Sequence, residues 1–100
     1  MEYNKLVRDK IPEILKKKGL NPLIHIAHET EYWVKLKDKL KEEVEEFINK
    51  SNKEELSDIL EVIESICKFK NIDKGNLENI KKEKAEERGL FNNRIILEKA

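Results

Sequence analysis

From Glu31 to about Asn49 the apolar residues Trp33, Leu36, Leu40, Val44, Phe47 and Ile48 recur three or four apart, the one-face repeat of a long amphipathic helix. Ser51 with Glu54 three residues later forms a capping-box pattern, which predicts a turn over 50–52 and a new helix directly after it. That second arm carries Leu56, Ile59, Leu60, Val62, Ile63, Ile66, Cys67 and Phe69, a broader apolar face, and should end near Asn71. The two arms form an antiparallel helical hairpin. Upstream, Leu6, Val7, Ile11, Ile14 and Leu15 predict a short helix over about 12–18, with Pro12 in its first turn and Gly19 as its stop. Downstream, Asp73 or Asn76 can cap a last helix that runs to Arg88 before Gly89, with only Leu77, Ile80 and Ala85 as a thin apolar stripe. Two β-branched segments, 23–27 and 94–98, are the natural partners for a small two-stranded sheet.

Composition narrows this picture. One hundred residues make a single domain over 1–100, since a chain this long buries only about two-thirds of its unfolded surface and cannot divide into two cores. With 42% charged residues, 38% hydrophobic, 3 Gly and 2 Pro, it is too apolar for disorder and too poor in turn formers for many strands. A mainly α fold follows. The 21 basic residues match the 21 acidic ones, so the basic excess that a nucleic acid polymer or an anionic membrane would attract is missing. The one cysteine, Cys67, excludes an intrachain disulfide and fits an inert core thiol. The start, Met1-Glu2-Tyr3-Asn4-Lys5, has no apolar leader, and no uncharged stretch is long enough to span a membrane, so a cytoplasmic protein is expected.

Candidate chemistry lies where charge interrupts the apolar faces. Acidic runs in a Lys/Glu-rich chain are usually solvated helix faces, so angular position must decide. Counting about 100° per residue from Leu36, the first arm's apolar side chains span about 0–120°, while Glu43, Glu46 and Glu42 fall at about 340°, about 280° and about 240°. Glu45, at about 180°, points into water and serves as the internal control. On the second arm, counted from Leu56, Glu55 falls at about 260° inside the apolar arc, and Asp58 sits at its edge at about 200°. Glu54, Glu61 and Glu64 point elsewhere and are expected to be solvated. A lone charge on an inward face is costly, so such carboxylates must be protonated, paired or metal-bound. Two carboxylates at i, i+3 on each of two antiparallel helices, Glu43/Glu46 opposite Glu55/Asp58, offer the hard oxygen ligands that Mg²⁺ or Mn²⁺ prefers.

The ordered pair Glu42-Glu43-x-x-Glu46 and Glu55-x-x-Asp58 resembles the motif of the all-α nucleoside triphosphate pyrophosphohydrolases, a superfamily that includes MazG-like enzymes, dimeric dUTPases and phosphoribosyl-ATP pyrophosphohydrolase. The flanking stretches Tyr3-Asn4-Lys5-Leu6-Val7-Arg8-Asp9-Lys10-Ile11-Pro12 and Glu87-Arg88-Gly89-Leu90-Phe91 are similar to the ends of its small members, so the resemblance covers nearly the whole chain. It implies a helical hairpin that completes a four-helix bundle by forming dimers or tetramers. It also implies Mg²⁺-dependent cleavage between the α- and β-phosphates of a nucleotide, with Mn²⁺ as a substitute. Glu43, Glu46, Glu55 and Asp58 then correspond to metal ligands. Glu42, with Glu43, corresponds to the catalytic part, as a further ligand or the group that orients the attacking water.

Other residues keep two readings. Lys5, Arg8 and Lys10 crowd one segment before a helix and can hold a triphosphate, or form a plain basic surface. Lys84 and Arg88, one turn apart, can reach phosphates or merely complement a helix end. Trp33 can stack on a base, or belong to the core or a subunit contact. His25 and His28 should diverge and form no metal site. The expected function is a house-cleaning nucleoside triphosphate pyrophosphohydrolase, with phosphoribosyl-ATP as the other substrate. A non-catalytic helical interaction protein is the rival class.

Overall fold

The computed structural model describes residues 3–100 and contains four helices: α1 (Ile11–Lys17), α2 (Glu29–Lys50), α3 (Lys53–Lys70) and α4 (Lys74–Arg88). Met1 and Glu2, part of the start read above for a leader, lie outside the described residues. The chain is mainly α, and among the described residues no helix is long and apolar enough to cross a membrane.

Helix ends follow local chemistry, with two corrections. α2 begins at Glu29, two residues before the expected Glu31, because the His28 ring accepts a hydrogen bond from the Glu31 N–H at 3.4 Å and caps the helix from outside. The Ser51/Glu54 capping box does not form. Ser51 takes the left-handed conformation at φ 52° and closes α2 by donating its N–H to the Phe47 carbonyl at 2.7 Å. It thus serves as the end of α2 and not as the cap of α3. Asn52 takes over, accepting from the Glu55 N–H at 3.1 Å through Oδ1. Pro12 lies in the first turn of α1 and Asp73 caps α4 through the Gly75 N–H at 2.8 Å, both as the sequence suggests.

α2 and α3 pack together as the antiparallel hairpin. Trp33 and Tyr32 meet Phe69 at one end, with ring centroids 5.9 and 5.2 Å apart, while Lys50 faces Glu55 at the other. Among the described residues only Leu36, Val62 and Cys67 are buried, and all three belong to this hairpin. The rest of the chain is spread out. The radius of gyration is 17.9 Å, where a compact chain of this length has about 13 Å.

The small sheet over 23–27 and 94–98 does not form; no strand occurs among the described residues. Leu23 is 99% exposed, and Ile26, Ile95, Ile96 and Leu97 are exposed as well. A two-stranded ribbon is marginal unless one face lies on a core, and no layer of this chain reaches either segment. The β-branched composition thus had no surface to work against.

Glu64 is not simply solvated: it accepts a hydrogen bond from Lys74 at 2.7 Å across the α3–α4 joint, with Lys68 at 4.0 Å. The Lys74 hydrogen bond and charge hold the Glu64 carboxyl below its usual value. A carboxyl lowered in the folded state stabilises above its unfolded value and loses that contribution as pH falls through the folded one. Melting curves of the wild type and Glu64→Gln should therefore differ slightly at pH 7 and converge by about pH 3. A gap that persists in acid would show that the joint does not depend on this pair.

Candidate metal centre

The hairpin brings Glu43 from α2 together with Glu55 and Asp58 from α3, each offering an oxygen within 4.8 Å of the others. Glu43 and Glu55 side chains are only 12% exposed. Both therefore sit at the seam between the helices, as their angular positions require, while Glu45 is exposed. Asp58 lies at the rim of the seam. These oxygens are close enough that the three side chains would hold one ion between them. With three carboxylates and no sulfur or nitrogen among them, this donor set fits a hard divalent cation.

Glu46 is not part of that trio. Its side chain is 42% exposed and turns to Lys50 at 3.0 Å, and the same ammonium also stands 3.8 Å from Glu55. The hydrogen bond to Glu46 raises the Lys50 pKa above its usual value. Glu42 lies beside the trio and is held on both oxygens, by Lys5 at 3.0 Å and Lys39 at 3.0 Å. Partial burial pushes the Glu42 carboxyl up, but these two ammonium groups more than reverse it and leave it below the usual range. Lys39, itself largely shielded, also reaches Glu43 at 3.3 Å.

The basic segment before α1 is drawn to the same place. Lys5 binds Glu42; Arg8 donates to Asp58 at 2.8 Å and has its other terminal nitrogen 3.7 Å from Glu61, so Glu61 too is not free of the site. Lys35 anchors the segment by donating to the Asn4 carbonyl at 2.6 Å. Four cations, Lys5, Arg8, Lys39 and Lys50, thus pair with six carboxylates, Glu42, Glu43, Glu46, Glu55, Asp58 and Glu61.

The remaining candidates stand elsewhere. Lys10 precedes α1, exposed, and forms no side-chain pair among the described residues. Lys84 and Arg88 are exposed on α4 and likewise form no ion pair there. Trp33 stacks on Phe69, with Lys70 Nζ 4.2 Å and Lys37 Nζ 5.1 Å from its ring centroid. Ten residues of helix, about 15 Å, separate it from Glu43. His25 pairs with the Glu31 carboxylate at 2.9 Å while the His28 ring accepts from the Glu31 N–H at 3.4 Å, so both rings turn to the one residue, His25 to its side chain and His28 to its backbone.

Lys35, Lys39 and Lys50 went unread in the sequence although a signal existed. Counted from Leu36 they fall at about 260°, about 300° and about 320°, on the same stripe as Glu43 and Glu46. Their alternation with glutamates hid them as ordinary helix-face pairs.

No protein family model and no solved structure matches the chain. An uncharacterized protein of Mycolicibacterium smegmatis is 49% identical over 41 residues, which cover 41% of this chain and 42% of that protein. The chain therefore matches less than half the length of that relative.

Proposed function

We propose that the protein is a Mg²⁺-dependent nucleotide pyrophosphohydrolase, cleaving a nucleoside triphosphate to the monophosphate and pyrophosphate in a house-cleaning role in the cytoplasm, as a dimer or tetramer. One observation carries this reading: Glu43, Glu55 and Asp58 converge at the hairpin seam, with Arg8 of the N-terminal segment on Asp58 and Lys5 on the neighbouring Glu42. The resemblance of the ordered acidic pairs to the all-α pyrophosphohydrolases supports it.

Glu43, Glu55 and Asp58 would hold the ion. Bound there, Mg²⁺ supplies charge neutralisation for phosphate oxygens and lowers the pKa of water. Glu42, next to the trio, is placed to accept a proton from the attacking water once its lysines turn to phosphate. Arg8 and Lys5 already lie over the carboxylates, and a guanidinium that pairs with one carboxylate oxygen can equally pair with a phosphate oxygen. Lys84, Arg88 and Trp33 would need a second copy of the chain to approach the site. Release of pyrophosphate, screened over canonical and damaged nucleotides and phosphoribosyl-ATP, tests the reading and selects the substrate.

A second reading has its own observation. All six of these carboxylates are paired with cations of the same chain, as a helical interaction protein without catalysis would pair them. Metal separates the two. For a hydrolase, Mg²⁺ or Mn²⁺ at a hundredfold excess over Kd should raise the melting temperature by about 10 °C relative to EDTA. No shift, and no heat of binding at millimolar metal, would leave the interaction protein.

A further inference from the structure

Beside the acidic trio the structure holds a small cavity of about 40 Å³, lined by Asn4, Lys5, Leu6, Lys35, Asp38, Lys39 and Glu42. Three of those side chains are ammonium groups, and they come from two separate parts of the chain. Two of them grip one anion: Lys5 Nζ is 3.0 Å from Glu42 Oε1, and Lys39 Nζ is 3.0 Å from Glu42 Oε2. The Glu42 carboxylate thus sits between two ammonium groups, where an outside anion would sit. Lys39 in turn bridges to Glu43, a member of the trio, so the cavity and the carboxylates share a wall.

We infer that Lys5, Lys35 and Lys39 form a phosphate subsite, which Glu42 fills until the pyrophosphoryl end of a nucleotide displaces it. The cavity has room for a few water-sized groups, the scale of phosphoryl oxygens. The chemistry is right too, since each lysine offers three rotatable donors and binds phosphate as a point charge. Lys35 now directs its charge at a backbone carbonyl, the weakest acceptor of the three, and is the first free to turn. Displacement also releases Glu42 beside the trio, where the proposed hydrolysis needs a proton acceptor. The nucleotide rests on the hydrolase reading; the anion site rests on the lysines alone.

Inorganic pyrophosphate, titrated calorimetrically into the whole chain in EDTA, tests the subsite without metal or turnover. The wild type should bind it. Lys35→Met and Lys39→Met should each weaken binding by about tenfold or more, while Lys82→Ala on α4 leaves it unchanged. Glu42→Gln should tighten binding severalfold, because the competing resident charge is gone. A purely structural role for these lysines gives no reason for that gain. Circular dichroism checks folding, and if Lys39→Met does not fold, Lys35→Met and Glu42→Gln decide. No wild-type binding at millimolar pyrophosphate, or binding indifferent to both changes, overturns the subsite. Hydrolysis with lysine-independent pyrophosphate binding would remove this inference alone. Lysine-dependent binding without hydrolysis of any nucleotide would remove the enzyme and keep the subsite.

Discussion

Glu43→Gln, Glu55→Gln and Asp58→Asn should each lower pyrophosphate release by at least about a hundredfold, while Glu45→Gln stays within about twofold of the wild type. Each change keeps the size of the side chain and removes one negative oxygen donor. The trio lies within 4.8 Å, so each loss strips a ligand from the same ion, whereas Glu45 is exposed and faces away. Neutralising one of several crowded carboxylates relieves like-charge repulsion, so these variants should fold at least as well as the wild type without metal. Their signature is a joint loss of activity and of the melting shift with Mg²⁺. Activity that survives all three changes, or falls equally with Glu45→Gln, would sink the metal centre.

Two neighbours refine the test. Glu46→Gln should cost less than tenfold, because Glu46 lies outside the trio and turns its charge to Lys50. Glu42→Gln should lower kcat while leaving the metal-dependent melting shift in place, since Glu42 stands beside the ligands and is not one of them.

The sequence revealed the inward carboxylates because helix geometry is local. Angles of about 100° per residue put Glu43 at the border of one apolar arc and Glu55 inside the other, and both side chains are shielded at the seam. Helix angle alone does not say where a long side chain ends: Glu46 turns to Lys50 one turn on and stands apart from the trio. Lys5 to Glu42 and Arg8 to Asp58 span 37 and 50 residues, and no local periodicity encodes contacts that distant. The strand reading failed for a related reason. Val/Ile-rich segments mark a preference for a pleated, half-buried surface, and residues 23–27 and 94–98 meet none within one chain. Ser51 against Asn52 as the cap is a difference of one residue: Ser51 is taken up in closing α2 in the left-handed conformation, and the extended Asn52 after it caps α3.

Light scattering at micromolar concentration should report about twice 11.9 kDa or more, and Leu60→Glu should reduce it to a single chain. The argument starts from what one hairpin leaves uncovered. Val44 and Ile48 on α2, with Leu56, Leu60 and Ile63 on α3, remain exposed, although they lie on the faces whose periodicity built the helices. Neither α1 nor α4 covers them. With three buried residues among those described and a radius of gyration of 17.9 Å, the core is too small for the chain's length. A second hairpin laid on the first would cover this face and complete four helices around one core, and a twofold axis closes the arrangement. Leu60 separates the two states because it is 66% exposed in the single chain. A glutamate there faces water in the monomer and costs little, whereas in the pair two carboxylates enter an apolar contact and each costs several kcal/mol. That weakens the dimer by about a thousandfold or more and leaves the hairpin's circular dichroism intact. If the site also draws Lys84 or Arg88 from the partner, pyrophosphate release should fall with the dimer while Mg²⁺ binding by the trio persists. A wild type that scatters as one chain and melts cooperatively would mean that the apolar faces stay open to water and that each hairpin works alone.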